Sequence, residues 1–322
     1  MKKVLVTAIG SFAAEITIRV LKKMNLPVVG CDIYPQHWVA NAQEVDVFYQ
    51  VPYARSADTY IESLLSICRA ESVTAIVPLT DDEVDVLSPV REKFKDIGVD
   101  LCLSNHKSIV LCRNKAKLTE FLAAQQVCKT IPFQLLSDCD PSALTYPAIV
   151  KPLMGRSSQG LTLLTNEKEL SGWIAQINPR NLAMFMVQPY IEGTVVAVDV
   201  FRDPQRHICQ ALGRRERLRT LNGAGTTVDV FRNSSLEKQS ERLAELLEIR
   251  GTVCFEFIEN EQGFWFLECN PRFSGGVEFS ELAGFPCVQN HLRLFLDREL
   301  IQRGEAATMT IARRYQAHIT RQ

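Results

Sequence analysis

The stretch GTVCFEFIENEQGFWFLECNPRFSGG, residues 251–276, decides how this chain is read. Its two apolar parts, GTVCFEF (251–257) and FWFLECN (264–270), are rich in β-branched and aromatic residues and flank a polar turn, so they read as a β-hairpin. With Glu261-Gln262-Gly263 as a three-residue loop and Gly263 in the left-handed region, Glu256 stands opposite Glu268. Like charges directly across a strand pair repel, so their placement there points to a cation between them. Alternation puts Glu268, Asn270 and Arg272 on one face and Trp265, Leu267 and Cys269 on the other, packed face. Two carboxylates and an amide oxygen form a donor set that suits Mg²⁺, which completes its shell with water and nucleotide phosphates. Arg272 beside such a metal would offset phosphate charge. Without a metal, the same residues describe a hairpin with a solvated acidic face, and the rest of the chain has to separate the two readings.

A chain of 322 residues, 46% of them hydrophobic, can bury a large core and should divide into two or three domains. The formal net charge of −1 gives no broad basic surface for nucleic acid. The first residues, Met1 to Val6, run into a short apolar strand rather than a signal peptide, and no apolar run reaches the length of a membrane span. The expectation is a cytoplasmic protein with neither nucleic-acid nor membrane partners. The ten cysteines contain no Cys-x-x-Cys pair, and Cys254 and Cys269 lie in apolar strands, so they read as reduced core thiols. The histidines lack metal-ligand spacing, which argues against zinc.

The first third alternates strand and helix. Lys3 to Thr7, a helix over Ala13 to Met24, and Val28 to Asp32 form the opening unit of a doubly wound parallel sheet. Further strands are expected at 76–79 and 101–103, with helices near 57–70 and 82–94. The first turn, Thr7-Ala8-Ile9-Gly10-Ser11-Phe12, lacks the G-x-G-x-x-G fingerprint, although Asp32 ends the second strand where a ribose-binding acid would lie. Thr80-Asp81-Asp82-Glu83 follows a strand at the edge where open sheets bind ligands. Asp81 reads as a substrate contact, and Asp82 and Glu83 equally as acids favouring a helix N-terminus.

Farther on, Pro147 to Pro152 reads as a buried strand carrying Lys151, followed by the loop Gly155-Arg156-Ser157-Ser158-Gln159-Gly160 and a strand from Leu161 to Leu164. Strand, lysine, glycine loop and strand can form a phosphate cover. Gly155 and Gly160 let backbone N–H groups turn toward an anion, Ser157 and Ser158 add hydroxyls, and Lys151 supplies a compact charge. The loop lacks the Gly-Lys-[Ser/Thr] ending of a P-loop, and as a bare pattern it also fits a hairpin turn. A helix near Glu167 to Ile177 follows, with Asn166 and Glu169 as its capping box.

With these motifs in place, the chain resembles the ATP-grasp superfamily over nearly its whole length, specifically the branch of carbamoyl phosphate synthetase large-chain halves and biotin carboxylase. In that family a Glu-x-Asn-x-Arg strand and an acidic residue about a dozen positions upstream supply the metal ligands; here Glu268 lies 12 positions after Glu256. The resemblance implies an α/β chain with a Rossmann-like domain over 1–108 and an ATP-grasp fold over 109–322, the latter divided into a small lid at about 128–188 and an α+β C-terminal domain. It implies ATP with Mg²⁺, for which Mn²⁺ could stand in, held by Glu256, Glu268 and Asn270. Lys115, near the start of a connecting helix at 111–127, matches a nucleotide-contacting position, and the lid residues Lys151, Gly155, Ser157, Ser158 and Gly160 would cover the phosphates. The run Met184 to Gly193 resembles the strand that holds adenine, with Gln188 and Ile191 at the matching positions. Relatives often carry a ribose-binding glutamate where this chain has Val195, and Glu192 is its candidate replacement.

Arg214-Arg215-Glu216-Arg217-Leu218-Arg219 then places four arginines in six positions. The run is either a solvated charged strand or the source of one or two guanidinium groups for phosphate or carboxylate, with Arg215 the choice among them. The chemistry implied by the family is a carboxylate–amine ligase acting on small molecules. The acid attacks the γ-phosphate, and an amine then displaces phosphate from the acylphosphate, with Arg272 and Arg215 stabilising negative charge. Phosphorylation of bicarbonate or carbamate, and a non-catalytic ATP-binding regulator, remain the alternatives. A homodimer is compatible with the chain. A helix over 285–300 and a strand-like tail at 309–313 complete the reading.

Overall fold

The computed structural model describes residues 2–155, 159–221, 223–302, 304 and 306–321. Its N-terminal part is a five-stranded parallel sheet built from β1 (Val4–Val6), β2 (Val28–Asp32), β3 (Val47–Gln50), β4 (Ala75–Val77) and β5 (Asp100–Leu101), in the order β3-β2-β1-β4-β5. The strands are short and apolar because helices cover both faces: α1 (Phe12–Lys23), α2 (Ala57–Glu71), α3 (Asp81–Leu87) and α4 (Arg91–Lys95). The chain moves outward from β1 to β3 and then returns to the other side of β1 with β4. This reversal opens a crevice at the carboxyl ends of β1 and β4, where Gly10, Ser11, Thr80 and Asp81 sit.

Two expected helices are broken in ways that local chemistry explains. The helix expected near 82–94 is split at a short 3-10 turn, Ser88–Val90, that contains Pro89. The connecting helix expected at 111–127 is two helices, α5 (His106–Arg113) and α6 (Lys115–Gln125). Asn114 leaves helical space between them and caps α6, its side chain accepting from the Lys117 N–H at 3.0 Å. Strand β3 had no counterpart in the sequence reading. Asp32 is committed to backbone: its carboxylate accepts from Gly10 N–H at 2.8 Å and Tyr34 N–H at 3.1 Å, bracing the first turn.

After the short β6 (Lys129–Thr130), a four-stranded antiparallel sheet forms the small central subdomain. It comprises β7 (Gln134–Leu135), β8 (Ala148–Pro152), β9 (Thr162–Leu164) and β10 (Phe185–Pro189), in the order β7-β10-β8-β9. Helix α7 (Glu167–Gln176) covers it, burying Leu170 against Ala148, Val150, Leu164 and Val187.

The last sheet has seven strands in the order β16-β13-β12-β11-β14-β15-β6. Its strands are β11 (Thr194–Asp203), β12 (Ile208–Arg219), β13 (Gly225–Phe231), β14 (Gly251–Asn260), β15 (Gly263–Asn270), β16 (Met309–Ala312) and the parallel edge β6. One face packs on α6 and α8 (Ser234–Leu246) through residues such as Leu118, Leu122, Val198, Leu243, Phe255 and Phe257. Helices α9 (Val277–Leu282) and α10 (Cys287–Phe295) share a continuous apolar core with β1 and α1. That core joins the N-terminal sheet to the large sheet and holds the crevice of one against the open face of the other. Among the described residues, no helix is long and apolar enough to cross a membrane.

Candidate active site

The β14–β15 hairpin sets Glu256 opposite Glu268 and Cys254 opposite Asn270, but by a different route from the one expected. The loop is the two-residue Glu261-Gln262, closing at Asn260 and Gly263, where Gly263 has φ +110°. A two-residue loop alone would leave Glu256 facing Leu267. A β-bulge at Leu267 adds the missing residue and moves Glu268 into place. The bulge also breaks the alternation: Phe266 and Cys269 enter the core, whereas Leu267 turns to line a cavity beside Glu268. Trp265 is likewise off the packed face, half-buried across from Ile258, which lines the same cavity.

That cavity, about 260 Å³, lies between the large sheet and the central subdomain and brings together Lys115, Lys151, Gly155, Gln188, Ile191, Glu256 and Glu268. Lys151 and Ile149 point into it because both occupy odd positions of β8, opposite Met186 and Gln188 of β10. Burial pulls the Lys151 ammonium down to about 8, with the Glu268 charge acting against it. Lys115 Nζ lies 3.4 Å from Glu268, at the first turn of α6. Val195 forms part of the apolar wall.

Glu256 is held unusually for a carboxylate. Burial first, and the facing Glu268 second, push its pKa up to about 8. Among the described residues it forms an ion pair with Arg219, at 3.6 Å, and Asn270 Nδ2 donates to it at 3.1 Å. Among the described residues, no cluster of three or more His, Cys, Asp and Glu side chains could hold a metal. Two carboxylates and an amide nevertheless fit Mg²⁺, which takes few protein ligands and prefers oxygen.

A second cavity of about 530 Å³ continues from the first, sharing Glu256, Glu268, Arg219 and Gln159 with it. It runs under the carboxyl ends of β1 and β4 and is lined by Ser11, Asp81, Arg214, Glu216, Asn270 and Arg272, among others. Arg272 donates to Asp81 at 2.6 Å, to Asn270 Oδ1 at 3.1 Å and to the Phe273 carbonyl at 2.9 Å. Asp81 also meets Arg113, which is bidentate to Asp85 and donates to the Gly155 carbonyl at 3.3 Å. Asp81 is therefore a buried bridge between the N-terminal sheet and the hairpin. Glu83 closes a capping box with Thr80 at the start of α3.

Three expected site residues line neither cavity. Arg215 is directed away from both cavities: it is bidentate to Glu259 at 2.6 and 2.8 Å and stacks 3.7 Å above Phe231. Strand alternation sends Arg215 and Arg217 to one face of β12 and Arg214 and Glu216 to the other. The irregular pairing of β12 with β13 around Leu218 then turns Arg219 toward the site. Glu192 is exposed in the loop between β10 and β11 and does not line the cavity. Gly160, with φ +75°, packs beside Pro152 rather than on the cavity. Ser157 and Ser158 lie outside the described residues. Arg219 belongs to the run from which Arg215 is the choice, and Glu216 is not singled out in it, yet strand parity alone pairs Glu216 with Arg214.

The N-terminal residues 4–102 match a family model described as "PylC-like, N-terminal domain", and residues 181–317 match "ATP-grasp in the biosynthetic pathway with Ter operon". A carbamoyl phosphate synthase large chain from Pyrococcus furiosus is 24% identical over 262 residues, covering 74% of this chain and 24% of that one. The chain thus spans about a quarter of the length of the curated relatives it matches. Among solved structures, the biotin carboxylase domain of the Hydrogenobacter thermophilus 2-oxoglutarate carboxylase, in complex with MgADP, ADP and bicarbonate, aligns with a TM-score of 0.78. It is 19% identical, covering 96% of this chain and 72% of that one. An L-amino acid ligase from Bacillus licheniformis aligns with a TM-score of 0.72 at 15% identity, covering 92% of this chain and 74% of that one.

Proposed function

Because the chain belongs to the ATP-grasp superfamily, in the biotin carboxylase and carbamoyl phosphate synthase large-chain-like branch, we propose that it uses MgATP to phosphorylate a carboxylate-type oxygen. One observation carries this reading: Glu256 and Glu268 face each other in a cavity that also holds Lys115 and Lys151. Carboxylates repelling one another beside two ammonium groups have little use in a stable hairpin, but they match a site for metal and polyphosphate.

The nucleotide base enters the apolar end of the smaller cavity, between Ile149, Ile191, Val195 and Ile258, with β10 offering backbone groups to its edge. Lys151 and Lys115 meet the phosphates. Mg²⁺ held by Glu256, Glu268 and Asn270 would neutralise charge on the transferring phosphoryl group. Arg219 lines both cavities and Arg272 the larger one, so each is placed to meet the charge that builds up on the phosphoryl oxygens. The acceptor oxygen attacks phosphorus, ADP leaves, and the mixed anhydride that forms is consumed by a nucleophile that expels phosphate.

Bicarbonate is the acceptor that the comparisons support better. The 2-oxoglutarate carboxylase domain was solved with it, and further structural neighbours are biotin carboxylases and N5-carboxyaminoimidazole ribonucleotide synthetases. An amine capturing carboxyphosphate would give a carbamate. The second reading, an organic acid joined to an amine as an amide, is favoured by the likeness to the L-amino acid ligase and by a second cavity far larger than bicarbonate needs.

ADP release from MgATP, measured with ¹³C-bicarbonate and separately with pooled carboxylic acids, tests both readings. Hydroxylamine, added to trap activated carboxyl groups, reports the intermediate. Release that depends on bicarbonate, with a labelled carbamate once amines are added, is the expected result. Release with organic acids alone, yielding a hydroxamate, would favour the amide reading. No release above background with either acceptor would overturn both.

A further inference from the structure

The larger cavity contains one carboxylate that the phosphoryl-transfer machinery does not use. Glu216, on β12, lines it with a side chain only 6% exposed. Its Oε2 lies 2.7 Å from Arg219 Nε. Gly225 leaves room for it, since a Cβ there would come 3.0 Å from Glu216 Oε1. Burial raises its pKa, with Arg214 and Arg219 acting in the opposite direction.

Among the described residues, the charges around it are otherwise spoken for. Arg214 is bound to Asp199, Ser274 and Ser280, and Arg272 to Asp81. Arg219 is shared between Glu216 and Glu256 and borders the nucleotide cavity as well. Once phosphate occupies that cavity, Arg219 has a stronger anion to meet. Glu216 is then a buried carboxylate short of a cation, a costly state unless the second substrate brings one. Bicarbonate and other carboxylates cannot supply it, whereas a protonated amine can.

We propose that Glu216 is the recognition carboxylate for the ammonium group of the nucleophilic substrate, and that this substrate is an amino acid occupying the cavity beneath β1 and β4. The inference rests on the phosphoryl-transfer reading but holds for either acceptor, since carbamate and amide formation both consume an amine: the bound ammonium passes one proton to the Glu216 carboxylate, and the free amine then attacks the mixed anhydride and expels phosphate. The cavity's size admits an amino acid rather than ammonia alone, and Ser11, whose buried hydroxyl has no partner, opens onto the same space.

The test is saturation-transfer NMR on the full chain loaded with MgADP, using the standard L-amino acids as probes, with MgADP affinity measured on the same samples. The expected result is that at least one amino acid binds the parent protein. Its affinity should fall more than about tenfold in Glu216→Gln, recover partly in Glu216→Asp, and leave MgADP affinity within about twofold. Equal binding by the parent and Glu216→Gln, or no binding by the parent up to about 10 mM, would overturn the assignment while leaving the nucleotide site standing. Failure of the parent to bind MgADP would instead overturn the underlying reading and the assignment with it.

Discussion

Arg272 and Asp81 meet at 2.6 Å although they lie 191 residues apart, and the contact ties the hairpin that carries the candidate metal ligands to the carboxyl edge of the N-terminal sheet. The Arg272 side chain is mostly buried, with 15% of it exposed. Burial alone would lower its pKa, and Asp81 more than reverses that, so the pair is mutually dependent. The Asp81→Ala variant leaves Arg272 and Arg113 short of their shared carboxylate. It is expected to cost about 3 kcal/mol in urea unfolding, the scale of a broken buried ion pair. Any remaining ADP release should show a lower kcat with a nearly unchanged KM for ATP, because Asp81 touches Arg272 and not the nucleotide cavity. A change below about 0.5 kcal/mol would contradict the bridge.

The arginine run supplies a direct contrast. Arg219→Ala removes the guanidinium that faces Glu256 and both cavities, and is expected to lower the rate of ADP release by at least about a hundredfold. Arg215→Ala removes a pair with Glu259 on the opposite face, at a cost of about 1 kcal/mol in stability and with turnover within about twofold. Steady-state kinetics on the two variants check this. The reverse ranking would restore Arg215 to the site.

His291 makes stability depend on pH. Its Nδ1 accepts from the Thr252 N–H at 2.9 Å, and burial pulls its pKa from 6.5 down to about 3. The folded ring stays neutral while the unfolded chain takes up a proton below about 6.5. Stability is therefore intact above that pH and is lost as pH falls toward 3, at about 1.4 kcal/mol per unit. Urea midpoints between about pH 6.5 and 4.5 should fall more steeply in the parent than in His291→Gln, which keeps an acceptor without the titration. Parallel slopes would contradict this.

Much of the architecture could be read from the chain because its signals were local. Short apolar strands alternating with amphipathic helices marked the parallel sheet, and the β-branched hairpin marked the facing carboxylates. The expectations that failed depended on single irregular residues. Leu267 adds a bulge that offsets a shorter loop, so Glu256 still faces Glu268 while Leu267 and Trp265 leave the packed face. Asn114 interrupts one expected helix and Pro89 another, each by ordinary capping or ring chemistry. Strand β3 is half-buried and follows irregular turns, so it carried no clear period. For the arginine run, the alternation that governs any strand was available and would have separated Arg215 from Glu216. The turn of Arg219 into the site depends on irregular pairing with β13, which no local pattern announces.

In the proposed function, Glu256 and Glu268 are opposed so that together they hold a divalent cation on a nucleotide. The most direct measurement is Mn²⁺ binding by electron paramagnetic resonance, with ADP present, in the parent and in Glu268→Gln. The account expects ADP-dependent Mn²⁺ binding by the parent and a loss of more than about tenfold in the variant. Mn²⁺–ADP binding that is equal in both proteins, or absent from the parent, would contradict the account.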